Sequence, residues 1–323
     1  MHVVPAETLS SILSPDLVIQ ALAEAFKGGV KTPMRHHHTI DRPGGESATL
    51  LLMPAWHTAD AVAGDGGFIG IKVVSVFPDN ATRAVPTILG SYLLLSGQTG
   101  QIRAVMDAPT ITLWRTAAAS ALAASFLARP GASHLVMLGS GALAPHLVKA
   151  HAAVRPLRKV TIWNRSTDKA RTLADALKTD MAGEIEIAAS GDLEGAIRSA
   201  DIVSAATLSK EPLIQGAWLR PGAHVDLVGG FTPAMREADD AAVRCASVFV
   251  DTREGATREA GDIVQPLERG VIAMHDIKAD LFDLCRGVHP GRTSESEVTL
   301  FKSVGTALED LALATLIYRR LFA

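Results

Sequence analysis

Gly139-Ser140-Gly141-Ala142-Leu143-Ala144 follows directly on the apolar run His134 to Leu138. That order is the one of a strand, a tight turn and the start of a helix. Gly139 lets the chain turn sharply and Gly141 lets the backbone approach a pyrophosphate. Small Ala144 lets the new helix pack closely on the strand, while its free N–H groups, with the turn through Ser140, Ala142 and Leu143, face the phosphates. A second β-rich run, Lys159 to Trp163, ends about 20 residues further on, where a dinucleotide-binding unit places the residue that reads the ribose. The chain has Asn164-Arg165-Ser166 there, and no carboxylate. An acid would bond the 2′-hydroxyl of NAD, whereas a guanidinium and a hydroxyl suit the 2′-phosphate of NADP; NADPH is the expected cofactor, with NADH also admitted. The plainer reading of the same residues is that Ser166 caps a helix beginning near Thr167 and Arg165 is a solvated charge, and one residue can both cap and bind.

A second group of residues is cationic. Lys72 interrupts the otherwise apolar run Phe68 to Val76, Arg115 opens an alanine-rich stretch with no obvious acidic partner nearby, and Arg35 follows Pro33-Met34 in a loop. A buried lysine costs several kcal/mol unless it is paired, so its place in a strand suggests a task. Three cations converging on one cleft would clamp a carboxylate. Taken singly, each reads equally well as a solvated side chain or a structural ion pair.

The elements that must carry these groups fall into two patterns. Between about Ser133 and Arg253 strand and helix alternate. Strands are expected at His134 to Leu138, Lys159 to Trp163, Glu184 to Ala188, Asp201 to Ala206, His224 to Val228 and Ser247 to Asp251, with helices at Thr167 to Leu177 and Asp192 to Arg198. This predicts a doubly wound parallel sheet whose ligand lies beyond the carboxyl ends of the strands, which singles out Thr207, Gly229 and Gly230. Before it, a helix over Pro15 to Phe26 precedes strands at Ala48 to Met53, Phe68 to Val76 and Thr87 to Leu95, and Ile102 to Met106 pairs back across the turn at Gly97 to Gly100. No long helices separate these strands, so this sheet is expected to be largely antiparallel. Val304 to Leu321 has helical periodicity and is expected to return to it.

Bulk properties suit an ordinary soluble enzyme of two domains at 323 residues. A net charge of -3, from 31 basic and 34 acidic side chains, leaves no electrostatic footprint for nucleic acid or an anionic membrane. Cys245 and Cys285 form neither a metal spacing nor a disulfide framework and are expected to be buried and inert. Glu7, Ser10 and Asp16 stand where a signal peptide would need its apolar stretch, so the expected compartment is the cytoplasm. Thr116 to Ala128, the most apolar helix candidate, is too short to span a bilayer.

The chain resembles the ornithine cyclodeaminase/mu-crystallin family. The resemblance rests on Gly70-Ile71-Lys72-Val73, Pro78-Asp79-Asn80, Pro86-Thr87, the turn from Ser96-Gly97 to Gly100, and Thr112-Leu113-Trp114-Arg115-Thr116-Ala117-Ala118. Gly139-Ser140-Gly141, Val228-Gly229-Gly230, Arg236-Glu237 and Ser303-Val304-Gly305 extend it over nearly the whole chain. It implies an α/β fold in which a Rossmann-type doubly wound parallel sheet, residues 113–299, is inserted in a split, mainly antiparallel α+β domain, residues 1–112 and 300–323. The split domain would bind substrate and form a homodimer, with the active site between the two domains. The resemblance further implies that Arg35, Lys72 and Arg115 hold the substrate carboxylate with Thr87 nearby, and that Ser303 to Gly305 lie near the nicotinamide.

One departure bears on the chemistry. Ornithine cyclodeaminases carry an aspartate directly after the Gly-Gly pair, where it handles the substrate's amino group; this chain reads Gly229-Gly230-Phe231-Thr232-Pro233. Phe231 cannot accept a proton or pair with an ammonium, and suits a substrate without a distal amine. Asp226 lies inside the strand and is expected to make a structural hydrogen bond. The expected reaction is reduction of a small 2-imino acid, 1-pyrroline-2-carboxylate foremost, to L-proline, with Lys72, an ordered water or a solvent-derived iminium supplying the proton. Ornithine cyclodeamination, an alanine dehydrogenase and a non-catalytic NADP-dependent carrier are the alternatives. No metal is expected: His36-His37-His38 point alternately in an extended segment and read as exposed loop residues, and His275, Asp276, Asp280 and Asp283 match no metal spacing. Arg253, Glu254, Arg258 and Glu259 read as surface ion pairs, with Glu259 and Asp262 kept as candidates near the site.

Overall fold

The computed structural model describes residues 1–59, 66–83, 85–181, 183 and 185–322. The chain divides into two compact units, Met1–Arg115 with Thr306–Ala323, and Thr116–Gly305.

The first unit opens with β1 (His2–Val4), α1 (Ala6–Ile12) and α2 (Pro15–Lys27), and continues through β2 (Val30–Lys31), β3 (His36–Ile40), β4 (Ala48–His57), β5 (Phe68–Val76), β6 (Ile88–Ser96) and β7 (Ile102–Asp107). In α2, Pro15 starts the helix after Ser14, Gly28 ends it at φ +141°, and Val18, Leu22 and Phe26 form a fully buried stripe at a spacing of four. The sheet order is β1-β7-β6-β5-β4-β2, with β3 also on β4, and only β1 runs parallel to its neighbour among these pairs. Lys72 lies at the middle of β5, opposite Met53 on one side and Tyr92 on the other. Gly70, two residues earlier on the same face, is required because a Cβ there would run into the Tyr92 hydroxyl. β4 continues to His57, past the expected end at Met53, because Pro54, Ala55 and Trp56 keep pairing with β5. The histidines expected in a loop instead form β3, exposed along its whole length and paired with Leu52 to Ala48.

Helix α3 (Ala108–Leu127) starts directly after β7, with the Asp107 carboxylate accepting from Thr110 N at 2.8 Å. Arg115 therefore sits within this helix and does not open it. The second unit runs β8 (His134–Leu138), α4 (Ala144–Val154), β9 (Lys159–Trp163), α5 (Thr167–Asp180), β10 (Glu186–Ala189), α6 (Leu193–Ser199), β11 (Ile202–Ala205), β12 (His224–Leu227), α7 (Asp240–Cys245) and β13 (Ser247–Val250). It ends with α8 (Arg253–Glu259), α9 (Gly261–Glu268), β14 (Ile277–Asp280), α10 (Leu281–Cys285) and β15 (Thr299–Lys302), before α11 (Ala307–Phe322) completes the first unit. The start of the expected strand at Glu184 lies outside the described residues; the strand itself begins at Glu186.

All eight strands of this unit are parallel, in the order β10-β9-β8-β11-β12-β15-β13-β14. β14 and β15 are additions to the expected six, so β13 is not the last strand. β15 is central, wedged between β12 and β13, and a boundary at 299/300 would cut it; its residues belong to the second unit. The two units change over at Arg115/Thr116 and Gly305/Thr306. Val136, Val203, Val225, Leu300 and Val248, one from each of five strands, share the core of the second unit with Ile197 and Ile263. The cysteines are free as expected but not buried: Cys245 is exposed and Cys285 half-buried.

Candidate active site

In the first unit the structure brings Lys72 and Arg115 to one buried carboxylate. Lys72 Nζ lies 2.8 Å from Asp310 Oδ2 and 2.9 Å from Oδ1, and 3.4 Å from Thr112 Oγ1. Arg115 pairs with Glu309 at 2.7 Å and approaches Asp310 Oδ1 at 3.3 Å through Nε. Glu309 and Asp310 are adjacent on α11 and fully buried, so the acidic partners that seemed missing near Arg115 come from the far end of the chain. Burial lowers Lys72 to about 8, with Asp310 opposing the shift and the Arg115 and Arg35 charges adding to it. Arg35 thus acts on the same ammonium. Thr87 lies in the loop before β6, where its carbonyl accepts from Phe77 N at 2.8 Å. Tyr92, buried opposite Lys72, has its phenol pushed well above its ordinary value by burial and by Asp310.

In the second unit the glycine-rich turn adopts the expected form. Gly139 is at φ +106°, and a Cβ there would stand 2.6 Å from the Ala206 carbonyl. The position of a Cβ on Gly141 is open, and Ser140 to Ala142 reach the surface. Leu143 precedes α4 without a side-chain cap, leaving the first N–H groups of the helix without a side-chain acceptor. These features fit a dinucleotide pyrophosphate. After β9, Asn164 Nδ2 donates to the Ser166 carbonyl at 3.2 Å, Arg165 is exposed, and the Ser166 hydroxyl caps α5 by accepting from Lys169 N at 3.4 Å. The capping reading of Ser166 holds, and the residue is half-buried.

The loops after β11, β12 and β15 are pinned from below by two acids that the sequence reading did not assign. One Glu237 oxygen accepts from Thr207 N at 2.7 Å and Thr207 Oγ1 at 2.8 Å; the other accepts from Gly229 N at 2.8 Å and Gly230 N at 3.3 Å. Asp251, at the end of β13, accepts from Ser303 Oγ at 3.1 Å, Val304 N at 2.7 Å and Gly305 N at 2.6 Å. The polar groups of Thr207, Gly229, Ser303 and Gly305 therefore face inward, and both acids are fully buried. The signals available were the Arg236-Glu237 pair among the motifs of the resemblance and the place of Asp251 at the end of an expected strand.

Phe231, next to Gly230, is 49% exposed. Asp226 is structural as expected, accepting from Ser204 Oγ at 2.6 Å and lying 3.2 Å from His151 Nε2. Asp262 is wholly buried beneath the loops, whereas Glu259 ends α8 half-buried. Asp280 and Asp283 form a reciprocal cap on α10, and Arg253 pairs with Asp283 at 2.9 Å. Among the described residues no cluster of histidine, cysteine and acid has a metal-binding arrangement.

The model of the ornithine cyclodeaminase/mu-crystallin family matches residues 2–323. The Delta(1)-pyrroline-2-carboxylate reductase of Paracoccus denitrificans is 40% identical over 294 residues, covering 88% of this chain and 90% of that protein. Among solved structures, Thermococcus litoralis Delta(1)-pyrroline-2-carboxylate reductase in complex with NADH and L-proline has a TM-score of 0.91 at 32% identity, with 99% of this chain and 97% of that chain covered. An archaeal alanine dehydrogenase dimer with bound NAD has a TM-score of 0.86 at 29% identity, with 99% and 95% covered. A match over the full length, joined to the glycine turn and the buried Lys72–Asp310–Arg115 group, places the chain in the ornithine cyclodeaminase/mu-crystallin family.

Proposed function

We propose that this protein is an NAD(P)H-dependent oxidoreductase that reduces a cyclic 2-imino acid, 1-pyrroline-2-carboxylate foremost, to L-proline. The observation that carries the reading is a buried lysine at about 8, shared with an arginine on one carboxylate, in a chain akin to reductases of that substrate. When bound, the reduced nicotinamide supplies the hydride. Arg115, set by its buried pairing with Glu309 and Asp310, and Arg35, whose charge reaches Lys72, hold the substrate carboxylate. Lys72 keeps the imine nitrogen protonated and gives it the proton that the secondary amine retains, then recovers one from solvent. Asp310 keeps the lysine in place and ionised near neutrality, and Thr112 takes a second of its three donors.

The glycine turn at 139–141 and the start of α4 hold the pyrophosphate, and Asn164, Arg165 and Ser166 take the ribose end. We assign NADPH as the preferred cofactor because Arg165 is exposed and no carboxylate stands there. Phe231 stands where cyclodeaminases have their aspartate and cannot pair with an ammonium, which speaks against ornithine. A homodimer is proposed from the first sheet. Its helices pack on the face of Gly70 and Lys72, and the opposite face carries a continuous apolar patch that includes Pro54, Ile69, Ile71, Leu93 and Val105.

The test is a pair of assays on the purified protein: oxidation of NADPH and NADH with 1-pyrroline-2-carboxylate, and release of ammonia from L-ornithine with NAD+. Reduction without ammonia release is expected. Ammonia and proline from ornithine would overturn the reading in favour of the cyclodeaminase.

A further inference from the structure

The switch point of the parallel sheet lies between β8 and β11, where the strand order reverses, and a ligand crevice opens outside the carboxyl ends of such strands. One wall of that crevice is the glycine turn after β8. The other is the loop after β11, and the two touch: a Cβ on Gly139 would meet the Ala206 carbonyl at 2.6 Å and the Thr207 methyl at 3.5 Å. The loop after β12 presses on the same place, since a Cβ on Gly229 would collide with the Thr207 backbone. Each loop leaves its strand through a last sheet bond, Ala206 N donating to the Leu138 carbonyl at 2.9 Å and Gly229 N reaching the Ala205 carbonyl at 3.2 Å, and beyond these bonds the two loops share one side-chain anchor. Both are held by Glu237, which spends one oxygen on Thr207 and the other on Gly229 and Gly230.

Glu237 is itself fixed by a chain of buried charges. Its backbone N–H donates to Asp262 Oδ1 at 2.7 Å, Ala238 N donates to the same atom at 3.1 Å, and Asp262 Oδ2 pairs with Lys302 Nζ at 3.1 Å. Lys302 ends the central strand β15 and stands 3.9 Å from Glu237. All three side chains are fully buried. Such an arrangement is costly to desolvate, and losing any one member would leave an uncompensated buried charge, so the three side chains hold one another in place.

We propose that Glu237 is the positioning residue of the cofactor crevice, setting the loops after β11 and β12 at the separation that a bound dinucleotide needs. The inference rests on the cofactor reading above. Every hydrogen-bonding partner of the carboxylate is a donor: Thr207 N–H, the Thr207 hydroxyl, which is itself an acceptor for Ser209 N at 3.4 Å, and the N–H groups of Gly229 and Gly230. A carboxylate serves donors on both oxygens. An amide cannot, because whichever way it turns its NH2 faces two N–H or O–H donors.

The experiment is fluorescence titration of NADPH and NADH into the wild type, Glu237→Gln, Thr207→Val and Thr207→Ser, with kcat and the cofactor KM measured alongside. Glu237→Gln is expected to weaken both cofactors by about tenfold or more, the loss from leaving buried donors without an acceptor. The two losses should be equal, since Glu237 does not read the 2′-phosphate, and the cofactor KM should rise more than kcat falls. Thr207→Val should weaken binding less, in the same sense, and Thr207→Ser should restore it. The threonine pair decides the matter if Glu237→Gln does not fold. Wild-type affinity in folded Glu237→Gln, or equal affinities in the two threonine variants, would overturn the proposal while leaving the cofactor reading intact. A wild type that binds neither nucleotide would overturn both.

Discussion

Lys72 Nζ and Asp310 Oδ2 are 2.8 Å apart although 238 residues separate them, and the same carboxylate reaches Arg115 Nε at 3.3 Å. The acid raises the proton affinity of a lysine that burial depresses to about 8. If ammonium is the working form of Lys72, reduction is present below about pH 8 and is lost as pH rises through that value. Asp310→Asn removes the opposing charge, so the alkaline limb should move to lower pH by about one unit, equivalent to about 1.4 kcal/mol. A pH profile of kcat for the two proteins checks this, and an unmoved limb would remove Lys72 from the proton step.

Arg165 is exposed beyond β9 and the neighbouring Ser166 is occupied with its cap. Arg165→Ala should therefore raise the KM for NADPH by about tenfold, the scale of one charge-assisted contact, and leave that for NADH unchanged. The ratio of the two constants is the readout, and parallel changes in both would contradict the assignment.

The apolar face of the first sheet predicts the oligomer. Ile71 and Leu93 are directly opposite each other on that face, away from Lys72 and Tyr92. Introducing Ile71→Asp with Leu93→Asp should convert a dimer into monomers in sedimentation velocity. An unchanged dimer would place the interface elsewhere.

His224 is wholly buried in β12, with Nδ1 3.0 Å from Thr299 Oγ1, and burial lowers it to about 3. Its folded value lies below its unfolded one, so the unfolded chain binds the extra proton. Stability from this source is present above about pH 6.5 and is lost as pH falls from there toward 3. Between pH 7 and pH 5 the loss from this group is about 2 kcal/mol. Urea unfolding at the two pH values should show that component in the wild type and not in His224→Gln.

The sequence made the parallel sheet legible where strands were apolar and five residues long: His134–Leu138 and Lys159–Trp163 stand at their expected limits. β14 and β15 escaped because each has only four residues and a lysine, and nothing local marks Thr299–Lys302 as central. Its place in the sheet comes from pairing with β12 and β13, which is tertiary information. Lys72 was legible as an intruder in an apolar strand, and Gly139 as a turn. Their partners were not. Asp310 lies on an amphipathic helix whose acids resemble a solvated first turn, and Glu237 and Asp251 act through backbone N–H groups, which leave no trace in residue type.

The central claim is imine reduction with Lys72 at the reacting nitrogen. It is tested most directly by following NADPH oxidation and L-proline formation from 1-pyrroline-2-carboxylate with wild type and Lys72→Met, each first shown to bind NADPH. One proline per NADPH in the wild type, with turnover lost and NADPH binding kept in Lys72→Met, is the predicted result. Proline formation at an undiminished rate in Lys72→Met, or no proline from the wild type, would contradict it.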